Sequence, residues 1–86
     1  MSARTLAAMR TVLRPGVTFV EVVAAVGEPE ADIGSGLYVW RFDLADGTAV
    51  LVGTPGEVVM YARHVARADG GDARGPFHIL ERLLGQ

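Results

Sequence analysis

The chain reads as an α+β domain, with two short N-terminal helices packed on a three- to four-stranded antiparallel meander and a further helix at the C-terminus. Three observations predict this. Pro15-Gly16-Val17-Thr18, the run Phe19 to Val26 and Gly27-Glu28-Pro29 together spell a short helix punctuated at both ends. The apolar residues then change to a period of two at Tyr38, Trp40, Phe42 and Leu44. Helical spacing returns after Pro76, at Phe77, Leu80, Leu83 and Leu84.

Each element has its own grounds. Leu6, Met9, Val12 and Leu13 are spaced as one helix stripe, and Ala7 and Ala8 favour a helix over 4–13. Thr18 is placed as an N-cap and Glu21 completes a capping box. Phe19, Val22, Val23 and Val26 fall at i, i+3, i+4 and i+7, so 19–26 has one apolar face. Gly27 suits the C-cap and Pro29 stops continuation. Residues 28–36 are predicted as a loop, punctuated by Pro29, Gly34 and Gly36. The meander covers 37–65. Its first strand alternates, Asp46-Gly47 is a type I′ hairpin signal, and Thr48–Val52 returns as a second strand with apolar residues on both faces. Thr54-Pro55-Gly56-Glu57 has the form of a type II turn, and Val58 to Arg63 form a third strand. Residues 66–76, with Asp69-Gly70-Gly71-Asp72 and Gly75-Pro76, read as a polar loop, and 77–84 as an amphipathic helix with Pro76 at its start.

Composition bounds the function. Eighty-six residues make one domain, 1–86, with one modest core. Half are hydrophobic and 21% charged, which excludes disorder. A net charge of −2 offers no basic field to nucleic acid or to an anionic membrane, although all eight basic residues are Arg. With no cysteine there are no disulfides or thiolate metal sites, as expected of a reducing compartment. Arg4, Arg10 and Arg14 break the N-terminal apolar run, which is unlike a signal peptide, and no stretch approaches the roughly 20 apolar residues of a membrane span. The expectation is a cytoplasmic protein.

Pro15-Gly16-Val17-Thr18, a helix ending in Gly27-Glu28-Pro29, and then Gly34-Ser35-Gly36-Leu37-Tyr38 leading into an aromatic strand resemble the β-lactamase inhibitory protein-like architecture, which the small outer-membrane-assembly lipoproteins share. The family pattern is a Gly-Met-Thr helix start, a Gly-x-Pro helix end and a β-meander; Val17 stands where Met is usual. The resemblance covers about residues 12 to 62 and leaves the last element unexplained. It implies a non-enzymatic domain that binds another protein on its sheet. The chain departs from the lipoproteins in lacking a lipid-acceptor cysteine, and from the inhibitor in having one copy of the unit instead of two.

Candidate chemistry is sparse. A metal site needs three or four ligands, and only Asp69 and Asp72 lie near His64 and His78 in sequence, so both read as exposed or hydrogen-bonded histidines, with a metal bridging the pair as the alternative. Ser35 lies between glycines, but a strand follows where a nucleophile elbow needs a helix. Glu28, Glu30 and Asp32 read as a solvated acidic rim, with contact to a basic partner as the functional alternative. Asp43 and Asp46 flank a hairpin, and nothing raises one acid above another for catalysis. Gly70, Gly71 and Gly75 lack the Lys and the context of a phosphate loop. Tyr38, Trp40 and Phe42 share one strand face and read mainly as core, with an aromatic binding surface as the alternative. Helices on one side of an antiparallel sheet leave its second face open. Arg41 and Arg63, with Arg67 as a third member of a small basic patch, line that face, and Leu80, Leu83 and Leu84 line the last element. These five (Arg41, Arg63, Leu80, Leu83 and Leu84) are the candidate partner-binding residues. The expected function is a small non-enzymatic protein-binding or adaptor domain without cofactors, whose partner is another protein or a second copy in a homodimer. The alternative is a small-molecule site near Trp40, Tyr61 and His64.

Overall fold

Helix α1 (Leu6–Val12) starts where the Thr5 side chain accepts a hydrogen bond from the Ala8 amide at 3.1 Å, and it is shorter at both ends than the predicted 4–13. Pro15-Gly16 turns the chain, with the Val17 amide donating to the Arg14 carbonyl at 2.9 Å. Helix α2 (Phe19–Val26) has the predicted limits. The Thr18 hydroxyl accepts from the Glu21 amide at 3.2 Å and donates to the Glu21 carboxylate at 3.1 Å. Glu21 therefore closes the cap onto the hydroxyl, where a full capping box would close onto the Thr18 amide. Thr18→Ala is expected to cost about 1 kcal/mol, a fall of roughly 4–8 °C in Tm by thermal circular dichroism.

The computed structural model describes residues 4–32, 38–67 and 77–85. The two helices are followed by one antiparallel sheet of β1 (Ala31–Asp32), β2 (Tyr38–Asp43), β3 (Ala49–Thr54), β4 (Tyr61–Arg67) and β5 (Phe77–Leu84), in that spatial order. The domain is α+β, with five strands where three to four were expected. Gly34-Ser35-Gly36-Leu37 and the span 68–76, which includes Asp69-Gly70-Gly71-Asp72 and Gly75-Pro76, lie outside the described residues. Ala66 and Arg67, read as the start of the loop, belong to β4.

Strand β1 sits inside the predicted 28–36 loop. Its two residues pair with Arg41 and Trp40, and it is too short to show a period. Strands β2 and β3 are joined by the three-residue loop Ala45-Asp46-Gly47, not by a two-residue type I′ turn: Asp43 pairs with Ala49, the Leu44 amide donates to the Thr48 carbonyl and the Gly47 amide to the Leu44 carbonyl. Gly47 has φ 90°, the left-handed residue that such three-residue hairpins need. Gly56 does not take the positive φ of a type II turn. Val58 and Val59, predicted to begin a strand, instead stitch the β3–β4 connection to the entry of α2. Val58 bridges Thr18, the Val59 amide donates to the Val17 carbonyl, and the Phe19 amide to the Glu57 carbonyl.

The predicted C-terminal helix is corrected: 77–84 is strand β5, paired with β4. The physical reason lies in the register. Arg63 pairs with Arg82 and Ala62 with Leu84, skipping Leu83; Val65 pairs with Ile79 and His64 with Glu81, skipping Leu80. Two bulges in eight residues stretch the period of two. The residues opposite Ala66, His64 and Ala62 are His78, Glu81 and Leu84, spaced three apart. That spacing reads as helical in the sequence.

The core lies between the helices and one sheet face, here the inner face. Met9, Leu13, Val17 and Val22 from the helical half meet Phe42, Leu44, Val50, Val52, Val59 and Ala62. The outer face carries Arg41, Leu51 and Arg63 in one cross-strand row, and it is not bare: Ala49 and Val65 are also buried.

Candidate functional site

In α2 every residue except Glu21 is apolar. A helix that is hydrophobic around most of its girth is expected to be covered on most of it. Here the sheet covers one side. Val22 is fully buried, and Phe19, Val23 and Val26 pack against the core from its margin. Val20, one residue out of the stripe, is 74% exposed. Ala24, one turn on, is exposed too.

This surplus apolar face forms one wall of a groove of about 540 Å³, lined by Phe19, Val20, Val23, Ala24, Glu28, Pro29 and Trp40. Strand β2 supplies the opposite wall through Trp40. Phe19 stacks on Trp40 with ring centroids 5.1 Å apart, and Trp40 on Tyr38 at 5.7 Å and nearly parallel. Phe19 also leans on Phe42 at 6.2 Å. An aromatic row therefore runs from the buried Phe42 out to Tyr38, which is 58% exposed. The Tyr38/Trp40/Phe42 face is core at one end and surface at the other.

Glu28 is the charged residue of the groove lining. Its backbone carbonyl accepts from Arg4 Nη2 at 2.7 Å, and among the described residues its carboxylate forms no ion pair. The Arg4 guanidinium is engaged elsewhere: Nη1 meets Glu30 at 2.6 Å and the Asp43 carbonyl at 3.0 Å, and Nε meets the Val26 carbonyl at 2.9 Å. Burial pushes the Glu30 carboxyl up, but hydrogen bonds from the Asp43 amide and from Arg4 outweigh that and hold it below its ordinary range.

The residues singled out in the sequence are distributed as follows. Arg41, 8% exposed, pairs through Nε with Asp43 at 2.8 Å. Arg63 is half-buried, its guanidinium 4.6 Å over the Tyr61 ring. Arg41 and Arg63 share the outer face, on either side of Leu51. Leu80 is 53% exposed, with Ile79 beside it, while Leu83 and Leu84 pack against the core. Glu81 of β5 forms a two-pronged ion pair with Arg10 of α1, which holds its carboxyl below the ordinary range.

Trp40, Tyr61 and His64 are not brought together. Tyr61 is opposite Gly53 on the outer face, whereas Trp40 and His64 belong to the inner one. His64 is buried with Nε2 2.7 Å from the Thr48 hydroxyl, which donates to Asp46 at 2.5 Å and so accepts from the imidazole. Hydrogen bonds from the Thr48 hydroxyl and amide hold the Asp46 carboxyl low. Among the described residues no three His, Asp or Glu side chains cluster as a metal site, and no helix is long and apolar enough to cross a membrane.

The groove residues Phe19, Val20, Val23, Ala24 and Pro29 were not among the candidate site residues. Their signal was the near-absence of polar residues in α2. Compared with family models, curated proteins and solved structures, the chain finds no match in any of the three.

Proposed function

We propose that the chain is a small non-enzymatic protein-binding domain of the cytoplasm, and that the groove between α2 and Trp40 is its contact surface. The observation that carries this reading is α2 itself, apolar on nearly every side and left open at Val20 and Ala24. Exposed apolar surface that is contiguous and rimmed by polar groups is a mark of interaction sites. Tyr38 and Trp40 add the residue types that dominate interface energetics. The resemblance to the β-lactamase inhibitory protein-like architecture points to the same class of function. Leu80 and Ile79, on the outermost strand, form a second exposed apolar patch, which favours self-association as the second contact.

The test is affinity capture from cell extract with the wild type, Val20→Asp and Leu80→Asp, each checked for an unchanged melting temperature. A stoichiometric protein recovered by the wild type and by Leu80→Asp, and lost with Val20→Asp, is expected. Equal recovery by all three would overturn the groove as the contact surface. A small molecule is the competing occupant, since about 540 Å³ lies within the range of ligand sites, roughly 300–1,000 Å³. Recovery of no protein, together with a small-molecule hit, would favour it.

A further inference from the structure

We infer that the segment seated in this groove is a short basic stretch of a partner protein, with an arginine or lysine among apolar residues, its alkyl stem on Trp40 and its charge at Glu28. The inference rests on the binding reading above and adds the chemistry of the occupant.

Three features converge on it. The first is the stacked row Phe19–Trp40–Tyr38, whose central ring is half-buried and so offers part of its surface. Two rings already stack on the indole, so what it offers the groove is apolar surface for the methylenes of an arginine or lysine stem, not a free face for the charge. The second is charge. Glu28 is the charged member of the lining, it has no ion-pair partner among the described residues, and the nearby Arg4 is committed to Glu30. An acidic segment would meet repulsion there, whereas a cationic one finds a counter-charge. The third is shape. The walls are apolar apart from that one group, which suits a side chain that lays methylenes along apolar surface and keeps its charge at the rim. Helix α2 has eight residues, so the wall is roughly 12 Å long at about 1.5 Å per residue. It spans about four residues of an extended chain at about 3.3 Å each, which fits a linear segment better than a broad interface.

Trp40 is the single tryptophan of the chain, so its fluorescence reports on the groove. The probes are acetyl-Leu-Arg-Leu-Leu-amide, its Gln and Glu counterparts at the second position, and decyltrimethylammonium as a small cation. The expected result is saturable binding of the Arg peptide, weaker by about three- to fivefold for the Gln peptide and weaker still for the Glu peptide. Glu28→Gln should weaken the Arg peptide by about threefold or more and leave the Gln peptide unchanged. It should also keep the fold, because Glu28 meets Arg4 through its backbone carbonyl. Equal affinity for the three peptides, or no effect of Glu28→Gln, would overturn the basic occupant while leaving the groove as a contact surface. No peptide binding, with a captured protein still lost on Val20→Asp, would overturn the short linear segment in the same way. Binding of decyltrimethylammonium alone would overturn both this inference and the protein-binding reading in favour of a small-molecule site.

Discussion

Arg4→Ala is expected to lower the stability of the domain by about 3 kcal/mol, because one guanidinium closes four acceptors. These are the carbonyls of Val26, Glu28 and Asp43 and the carboxylate of Glu30. The side chain is 11% exposed and lies 5.1 Å over the Phe42 ring. It ties together the end of α2, the approach to β1 and the end of β2, and its own carbonyl accepts from the Ala45 amide. Truncation leaves three carbonyls to find water and a carboxylate without its counter-charge. A domain of this size has a total stability of roughly 4–13 kcal/mol, so the loss is a large fraction of it. Urea denaturation should show it as a lower midpoint with an unchanged slope. Arg4→Lys should fall between, since an ammonium keeps the charge and loses the planar fork.

The same cluster sets an acid dependence. The folded state holds the Glu30 carboxyl below its ordinary range, so the unfolded chain binds more protons as pH falls through that range. The stability from this pair is present above the ordinary glutamate range and is lost as pH falls through the lowered value. Denaturation midpoints measured toward acid should decline more steeply for the wild type than for Arg4→Ala. Parallel declines would show that the pair contributes nothing.

The second large effect is at Gly53 in β3. Its backbone does not occupy the left-handed region; the need for glycine comes from Tyr61, directly opposite in β4. A Cβ on Gly53 would fall inside contact distance of Cε2 and Cζ of that ring, and only 2.7 Å from Cδ2. The Tyr61 ring lies where the missing side chain would be, and the Arg63 guanidinium stacks on it. Gly53→Ala is expected to push the ring out, break that stack and cost about 2 kcal/mol. Adding Tyr61→Ala should relieve the clash, so that Gly53→Ala/Tyr61→Ala is no less stable than Tyr61→Ala alone. Additive losses in the cycle would place the cost in the β3 backbone instead.

What could be read in advance was what neighbouring residues settle among themselves. Thr18, Glu21 and Gly27 act within one helix, and α2 falls where they put it. The alternation of Tyr38 to Asp43 is local too, and so is the turning power of Asp46-Gly47, although the loop is one residue longer than a type I′ turn. Strand β5 was illegible because its two bulges erase the period by which a strand is recognised, and the leucines they leave over, Leu80 and Leu83, complete a helix-like spacing. Arg4 was illegible for another reason. Its acceptors are mostly backbone carbonyls 22 to 39 positions away, and a carbonyl carries no residue identity. The groove lies between these cases. The surplus of apolar residues in α2 is plain in the sequence, but that Trp40 faces it follows only from how the sheet packs.

The order of the sheet also bears on how the chain reaches this state. Every strand pairs with its neighbours in sequence, so each pairing joins segments that lie close together along the chain. The ties across the chain have a different character: Arg10 and Glu81 are 71 positions apart. Synthesis delivers the N-terminal residues first, so both helices emerge before any strand exists to cover them. Met9 and Val22 wait in water until Phe42, Val50 and Ala62 arrive, and α1 cannot be fastened to β5 until synthesis has passed Glu81. The two helices are therefore made first, and the tie between α1 and the sheet edge is made last.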